Sequence, residues 1–357
     1  MQKTSIWSLL PSELEEALIE LGEKRFRAKQ LLNWIFQQNI IDFTQMSNIS
    51  KSSIQTLNMH FTTELPLVDK ISQSDDGTSK YLLKLKDDNY IEMVLIPADE
   101  KLTLCISSQV GCMRGCRFCS TSKLGLLRNL TVDEITGQVY LARQLTGSFR
   151  ITNIVFMGMG EPLDNLENVI KAIRIIQSDK CFAFSPRRIT VSTCGIIPGI
   201  KQLSETGLKV KLAVSLNSAI DEKRSEIMPI NVKYPLSVLK PALQKFTKTS
   251  PFRITFEYVL IPGFNMDIKD QKALRKFTGD ISSKINLIPW NPIPGLEWKK
   301  SSEKEVNNFM KMMYKLSAVP ITLRNSRGQD INAACGMLAG KKQKSPPLPP
   351  IDGADYL

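Results

Sequence analysis

Three cysteines, Cys112, Cys116 and Cys119, stand close together in a loop that also contains Gly115. Thiolates at this CxxxCxxC spacing can converge on a single metal centre. Three ligands are one fewer than a closed tetrahedral zinc site or a fully ligated four-iron cluster requires. The spacing therefore predicts an open metal site, at which a further ligand can bind and react. A structural zinc ion, or three unrelated buried thiols, would be the simpler interpretations.

Composition narrows the class of protein. The chain has 357 residues, seven cysteines and a single histidine, His60, which argues against a histidine-based zinc site or catalytic triad. No apolar run approaches the roughly 18 residues of a membrane helix, and the apolar stretch at 6–10 is followed at once by Pro11 and acidic residues, unlike a secretory signal. We therefore expect a cytoplasmic protein without membrane contact. Its cysteines should serve metal or redox chemistry rather than a disulfide framework.

The net charge of +12 favours a polyanionic partner such as RNA. Apolar residues recur at helical spacing between residues 11 and 65, and a basic cluster lies among them. The cluster consists of Lys24, Arg25, Arg27 and Lys29. We predict a helical accessory domain over residues 1–78 that contacts RNA. A solvated charged face is the alternative interpretation of the same cluster.

A β-hairpin follows this domain. Residues 81–85 and 91–96 have strand patterns separated by a turn at 87–89, so we predict a hairpin extension over 79–97. At the other end of the chain, the tail at 341–357 is rich in lysine and proline, which predicts disorder.

Between these segments, six strand patterns alternate with six helical patterns. The strands fall near 102–107, 152–157, 188–193, 209–215, 253–260 and 284–290. Thr131 and Glu134 form a capping box that opens the first helix. Six β-α units predict an α/β fold with a parallel sheet, and a closed TIM barrel needs eight. We therefore expect a partial (β/α)6 barrel of TIM type over residues 98–340.

Polar and glycine residues follow several of these strands where each strand ends. In parallel β/α folds the active site is built at these carboxyl ends. Gly158 and Gly160 permit close backbone approach to a ligand, and a carboxylate at Glu161 can pair with a ligand ammonium. The candidate ligand-binding residues are Glu161, Pro162, Ser192, Ser215, Leu216, Asn217 and Asn291. Each alone is also explained as turn chemistry, but together they predict a pocket beside the open metal site.

Four ordered segments resemble motifs of the RlmN/Cfr family of RNA methyltransferases in the radical S-adenosylmethionine (SAM) superfamily. They are CISSQVGC over 105–112, GMGEP over 158–162, INLIPWNP over 285–292 and RGQDINAACG over 327–336. The resemblance extends over about residues 10 to 340. It implies that Cys112, Cys116 and Cys119 hold a [4Fe–4S] cluster whose fourth iron binds SAM in the pocket named above. One departure is Asn217, where the family has histidine in a Ser-Leu-His motif.

The resemblance also implies a reaction that uses two SAM molecules. Carbon 2 of adenine is electron-poor and cannot attack the SAM methyl group directly, so one SAM methylates Cys335 instead. The second is cleaved to a 5′-deoxyadenosyl radical, which takes a hydrogen from that methyl group, and the carbon radical adds to the base. Glu92 matches the base that removes the proton at carbon 2. Cys105 matches the resolving cysteine, which forms a transient disulfide with Cys335 and releases the product.

Without the resemblance, Cys335 would be read as a small buried hydrophobe and Glu92 as a solvent-facing strand residue. Cys181 and Cys194 match no functional cysteine of the family and are expected to be structural.

The resemblance implies substrates and partners. The substrate atom is carbon 2 of adenosine, in the peptidyl transferase centre of 23S rRNA and in tRNA 3′ to the anticodon. The electron donor is a flavodoxin- or ferredoxin-like protein. We expect the protein to be a monomer. One alternative is a Cfr-like enzyme, which methylates carbon 8 with the same cysteines, although the run at 324–328 is more like RlmN. A second alternative is a non-catalytic RNA-binding metalloprotein, which the missing fourth metal ligand disfavours.

Overall fold

The computed structural model describes residues 3–147, 150–293 and 295–340, so the predicted disordered tail lies outside the described residues. The N-terminal part is mainly helical. Its elements are β1 (Thr4–Ser5), α1 (Pro11–Glu20), α2 (Phe26–Leu32) with a π-helical turn at Asn33–Gln37, α3 (Lys51–His60) and β2 (Phe61–Thr62). Strands β1 and β2 pair in parallel, which closes this unit on itself.

Hydrogen bonds at their first turns stabilise these helices, and an aromatic contact packs the N-terminal unit against the rest of the protein. The Glu13 carboxylate accepts the Leu10 N–H at 2.8 Å at the start of α1, and Ser50 caps α3 by accepting the Ser53 N–H at 3.2 Å. Trp7 is fully buried, with its ring centroid 4.4 Å from that of Tyr140. Because Tyr140 belongs to the barrel, the N-terminal unit shares an apolar core with it.

The central sheet has ten strands. In chain order the strands after β2 are β3 (Leu67–Gln73), β4 (Ser79–Lys84), β5 (Tyr90–Ala98), β6 (Lys101–Cys105), β7 (Gln109–Cys112), β8 (Gly125–Asn129), β9 (Asn153–Phe156), β10 (Ile189–Thr193), β11 (Lys211–Ser215), β12 (Ile254–Leu260), β13 (Ser283–Pro289) and β14 (Ile321–Leu323). The sheet order is β14-β13-β12-β11-β10-β9-β6-β5-β4-β3, while β7 and β8 form a separate antiparallel pair. Strands β3 to β6 are antiparallel neighbours, and from β6 to β14 the sheet is parallel.

Helices connect the parallel strands. They are α4 (Val132–Thr146), α5 (Leu166–Gln177), α6 (Ile197–Glu205), α7 (Asp221–Ile227), α8 (Ile230–Lys233), α9 (Leu236–Thr249), α10 (Ile268–Thr278) and α11 (Glu303–Leu316). The predicted capping box of α4 is confirmed, with the Thr131 N–H donating to Glu134 at 3.0 Å. In the ranges that the structure describes, no helix is long and apolar enough to cross a membrane.

The prediction of an α/β partial barrel is confirmed, and so is the hairpin, which β4 and β5 form. Two details of the prediction were wrong. The parallel part contains a seventh strand, β14, which has only three residues and so gave no strand pattern. Strand β3 lies inside the range predicted as helical, and its mostly exposed residues carry little apolar alternation.

Alternate residues of each parallel strand face the lumen of the barrel. On β12, Thr255, Glu257 and Val259 line the lumen. The intervening Phe256 and Tyr258 are fully buried on the other side, where Tyr258 stacks on Phe309 of α11. This period of two decides which side chains can meet a ligand inside the barrel.

Candidate active site

The loop that carries the three cysteines is held rigidly at both ends. Cys112 ends β7 opposite Gly125 of β8. The preceding Gly111 has φ +81°, and a Cβ there would lie 1.9 Å from the Gly125 carbonyl oxygen, so only glycine fits. The Arg114 guanidinium forms a two-pronged ion pair with Asp164, which joins the loop to the segment after β9.

The thiols of Cys112, Cys116 and Cys119 line one cavity of about 160 Å³ at the carboxyl ends of the strands. We call it the carboxyl-end cavity. Burial raises the pKa of Cys112 to about 12, and burial together with the other two thiols raises the pKa of Cys116 well above its ordinary value. A bound cation would reverse these shifts by stabilising the thiolates.

Within the described ranges, no three Cys, His, Asp or Glu side chains already converge on a common metal-binding point. The donor set nevertheless fits an iron–sulfur cluster in its chemistry, because it consists of three soft sulfur donors on one cavity wall.

Six of the seven predicted ligand-binding residues line the same cavity as the thiols. They are Glu161, Pro162, Ser192, Ser215, Asn217 and Asn291. Leu216 does not line it, because its side chain points away from the lumen and is fully buried in the core, as the strand period requires after Ser215. The Leu216 side chain therefore does not border this cavity, and the prediction that Leu216 takes part in ligand binding stays a prediction.

Glu161 is 4% exposed, and its carboxylate accepts two backbone hydrogen bonds. Oε1 accepts the Leu163 N–H at 3.1 Å, and Oε2 accepts the Cys194 N–H at 2.7 Å. Burial raises the pKa of Glu161. The carboxylate is thus pre-oriented toward the cavity, where a ligand cation would offset the cost of its burial.

Asn217, at the position where the family has histidine, is a structural bridge. Its Oδ1 accepts the Val259 N–H at 3.0 Å, and Asn265 donates to its carbonyl oxygen at 2.7 Å. Its φ of +56° is the left-handed conformation that asparagine tolerates better than most residues. Asn217 therefore ties the end of β11 to β12, and its side chain also borders the cavity.

Cys105 and Cys335, distant in the chain, line a second cavity of about 340 Å³ at the amino ends of the strands. We call it the amino-end cavity. Cys335 also lines the carboxyl-end cavity, so it lies at the junction of the two. All seven cysteines are free in the structure. Burial raises the pKa of Cys105 to about 12.

Arg324 lines both cavities beside this cysteine pair and was not among the predicted site residues. Its Nη1 donates a hydrogen bond to Met157 Sδ at 3.6 Å. The negative charge of a Cys335 thiolate raises the pKa of Arg324 more than any other neighbour does, ahead of Glu257 and Cys105. Arg324 follows β14 directly, so the missed strand also concealed this residue.

Glu257 is a second residue that the sequence did not indicate. It lines both cavities and is 6% exposed, and burial raises its pKa. Its Oε1 accepts from Asn286 at 3.0 Å, whereas its Oε2 has no hydrogen-bond partner in the part of the chain that the structure describes. That oxygen is free to accept a hydrogen bond from a ligand in the lumen.

The segment that carries Cys335, residues 328–340, is docked on the cysteine loop. The Ser120 N–H donates to the Gly336 carbonyl at 2.6 Å, and the Thr121 hydroxyl donates to the Leu338 carbonyl at 2.7 Å. At its start, the Gly328 N–H donates to Asp76 at 2.8 Å. We refer to residues 328–340 as the Cys335 segment.

Glu92 clamps the end of this segment. It is 3% exposed, so the solvent-facing interpretation was wrong. Its Oε2 accepts the N–H groups of Ala339 at 2.8 Å and Gly340 at 3.2 Å, and its Oε1 lies 3.0 Å from Lys80 Nζ. Glu92 lines neither of the two cavities that border Cys335, but a separate cavity of about 220 Å³ beside Lys80.

The two remaining cysteines differ in position. Cys181 is buried beyond α5, where burial raises its pKa to about 11. Cys194, also predicted to be structural, borders the carboxyl-end cavity. The buried guanidinium of Arg224 holds this strand end in place by donating to the Cys194 carbonyl at 2.7 Å and to the Leu216 carbonyl at 3.2 Å.

Comparison with known proteins defines the class. A family model described as the Radical SAM superfamily matches residues 106–270. The solved structure of a radical SAM methyltransferase from Sphaerobacter thermophilus is similar, with a TM-score of 0.90 and 38% identity over 95% of this chain and 100% of that one. Fold and site thus define a radical SAM methyltransferase.

The family follows from closer matches. A model described as the Ribosomal RNA large subunit methyltransferase N-terminal domain matches residues 5–62. The dual-specificity RNA methyltransferase RlmN of Syntrophobacter fumaroxidans is 45% identical over 92% of this chain and 96% of its own length. The dual-specificity RNA methyltransferase RlmN of Geotalea uraniireducens is 43% identical over 97% of this chain and 99% of its own length. The chain belongs to the RlmN family.

Proposed function

We propose that this protein methylates carbon 2 of adenosine in 23S rRNA and in tRNA, with Cys335 as the methyl carrier. The observation that supports this most strongly is the position of Cys335 between two cavities. The carboxyl-end cavity contains three thiols suited to a cluster that binds SAM. The amino-end cavity contains Cys105 and opens on the opposite side of the barrel. A sulfur that must receive a group on one side and deliver it on the other requires such a position.

Cys112, Cys116 and Cys119 would hold a [4Fe–4S] cluster, and SAM would complete its coordination among Ser192, Ser215 and Asn291. Glu161 would pair with the SAM ammonium. When bound, cluster and SAM together supply the one-electron chemistry that an electron-poor carbon requires. A flavodoxin- or ferredoxin-like protein in the cytoplasm would supply the electron.

The first role of the chain's own residues is to activate Cys335. Its thiolate attacks the methyl carbon of SAM, so a sulfur–carbon bond forms, the sulfonium–methyl bond breaks and S-adenosylhomocysteine leaves. Arg324 would stabilise this thiolate by its charge.

The second role is to release the product from the covalent adduct between Cys335 and RNA. The Cys105 thiolate attacks the sulfur of Cys335, a disulfide forms, and the electron pair of the broken sulfur–carbon bond stays on the carbon, which takes up a proton as the new methyl group. Because methylation neutralises Cys335, Arg324 is then available to stabilise a thiolate at Cys105. The two α-carbons must approach within about 7 Å.

We propose that Glu92 accepts the proton from carbon 2 of the adenine. The present contacts of its carboxylate must first be broken. Its carboxylate is occupied by Lys80 and by two N–H groups of the Cys335 segment. The end of that segment must therefore release Glu92 before it can act as a base. RNA binding would drive this release.

Mass spectrometry of digested rRNA and tRNA from cells with and without the gene tests the proposal. We expect 2-methyladenosine to disappear from both RNAs when the gene is deleted. Loss of 8-methyladenosine instead would indicate the Cfr-like reaction, and unchanged RNA would support a non-catalytic RNA-binding protein.

A further inference from the structure

The lumen of the barrel opens at both ends, and the two openings differ in chemistry. On β10, Ser192 lines the carboxyl-end cavity and Thr190 the amino-end cavity. On β13, Ile288 borders both, whereas Lys284 lines only the amino-end cavity. The strand period thus divides each inward-facing row of side chains between the two openings.

The reaction limits which opening the RNA can use. The carboxyl-end cavity contains the three thiols and the residues proposed for SAM, so its volume is committed to the cofactors. A base that reacts with the carbon on Cys335 must approach the same sulfur without displacing them. Since Cys335, Cys105 and Arg324 all line the amino-end cavity, that side gives access to the sulfur.

The amino-end opening is strongly basic. Four cations line it near the starts of strands β10, β11 and β13, namely Arg187, Arg188, Lys211 and Lys284. None of the four forms an ion pair in the part of the chain that the structure describes. Burial lowers the pKa of Lys211. The positive charges of the other three cations and of Lys101 lower it further. Such a concentration of like charge is unfavourable in the free protein, and an anion would relieve it.

The basic cluster of the N-terminal helices is different, although the sequence made it the first candidate for RNA contact. Arg25 forms an ion pair with Glu15, and Arg27 lies 3.4 Å from Glu23. Arg27 also donates to the Asn48 carbonyl at 3.2 Å. Two of the four cations of the N-terminal cluster, Arg25 and Arg27, are therefore already paired with carboxylates of the protein itself.

We propose that the RNA enters the barrel through the amino-end cavity, with its phosphates bound by Arg187, Arg188, Lys211 and Lys284 and the target base directed toward Cys335. This proposal rests on the proposed function, because it takes RNA as the substrate and Cys335 as the methyl carrier. Phosphate contacts of this kind fix the position of the strand, while the lumen selects the base.

The test compares two double variants of equal charge change. Arg187→Gln/Lys284→Gln removes two cations from the amino-end opening. Lys245→Gln/Lys248→Gln removes two exposed cations from α9. Affinity for a synthetic anticodon stem-loop, with an adenosine 3′ to the anticodon, is measured by fluorescence anisotropy over a series of salt concentrations. Methylation of Cys335 by SAM without RNA is measured by peptide mass in each protein.

We expect the Arg187→Gln/Lys284→Gln protein to bind the stem-loop roughly tenfold more weakly at physiological salt. Its slope of log affinity against log salt should be shallower by about 1.4, at about 0.7 per lost single-strand phosphate contact. The Lys245→Gln/Lys248→Gln protein should match the wild type, and both should methylate Cys335 normally. Equal slopes in all three proteins, or equal losses in both variants, would overturn the proposal.

A second measurement on the wild-type protein does not depend on how the variants fold. The same stem-loop, with 4-thiouridine beside the target adenosine, is photocrosslinked and the linked peptides are identified. Crosslinks to peptides containing Arg187, Lys211 or Lys284 support entry at this opening, and crosslinks confined to residues 11–60 contradict it. If the wild-type protein does not methylate Cys335 at all, the proposed function fails, whatever the crosslinks show.

Discussion

Replacing Arg324 by glutamine tests how the methyl carrier is activated. The charge of a Cys335 thiolate is the strongest electrostatic partner of the guanidinium, and the hydrogen bond of Arg324 to Met157 Sδ at 3.6 Å is weak. A charge-assisted interaction of this kind contributes about 1.5–3 kcal/mol. Since about 1.4 kcal/mol corresponds to a factor of ten, Arg324→Gln should slow methylation of Cys335 roughly tenfold to a hundredfold.

The assay isolates this step from RNA chemistry. Anaerobically prepared protein is mixed with SAM in the absence of RNA, and the peptide containing Cys335 is followed by mass spectrometry for the gain of one methyl group. Arg324→Lys keeps the charge but loses the forked donor geometry, so its rate should fall between those of the wild type and Arg324→Gln. Thermal unfolding of each variant checks that the fold is retained.

Arg327→Gln provides the matched control. It removes an arginine from the same part of the chain, but Arg327 donates to the Asp76 carbonyl at 3.4 Å rather than to a cysteine. We expect this variant to methylate Cys335 at the wild-type rate. If Arg324→Gln and Arg327→Gln are equally fast and equally stable, the guanidinium does not activate Cys335 and the reasoning is refuted.

Three further predictions concern the other groups of the site. Changing Cys112, Cys116 or Cys119 to alanine should remove iron and SAM cleavage together, as measured by iron analysis and product chromatography; stoichiometric zinc without iron in the wild-type protein would contradict the cluster. Glu161→Ala should weaken SAM binding about tenfold or more, on the scale of a charge-assisted hydrogen bond, and an unchanged Kd in calorimetry would exclude Glu161 as a SAM contact. Because burial raises the pKa of Cys105 to about 12, little thiolate is present at neutral pH and its fraction rises with pH. Single-turnover product release should therefore accelerate about tenfold per pH unit below that value, and a flat profile would show that another step limits release.

The sequence predicted the barrel because long strands and helices leave periodic patterns. Glu161, Ser192, Ser215 and Asn291 were found in the same way, since each follows a recognisable strand and carboxyl ends of parallel strands meet at one edge. The side chain of Leu216 does not line the cavity, because the period of two turns every second side chain away from the lumen.

Arg324 and Glu92 show what a one-dimensional pattern cannot indicate. Arg324 follows a strand of only three residues, and its contact with Cys335 depends on the path of the Cys335 segment. Glu92 looked exposed because a charged residue on a strand is usually solvent-facing, yet Ala339 and Gly340 cover it from the far end of the chain. Contacts between distant segments determine both environments.

The most direct test of the central claim compares Cys105→Ala with Cys335→Ala, each expressed with cellular RNA, nuclease-treated and weighed by intact mass spectrometry. If Cys335 carries the methyl group and Cys105 releases the product, Cys105→Ala should retain a covalently bound nucleotide. Cys335→Ala should carry neither nucleotide nor methyl group. Normal turnover by Cys105→Ala, or trapped RNA on Cys335→Ala, would contradict the assigned roles of the two cysteines.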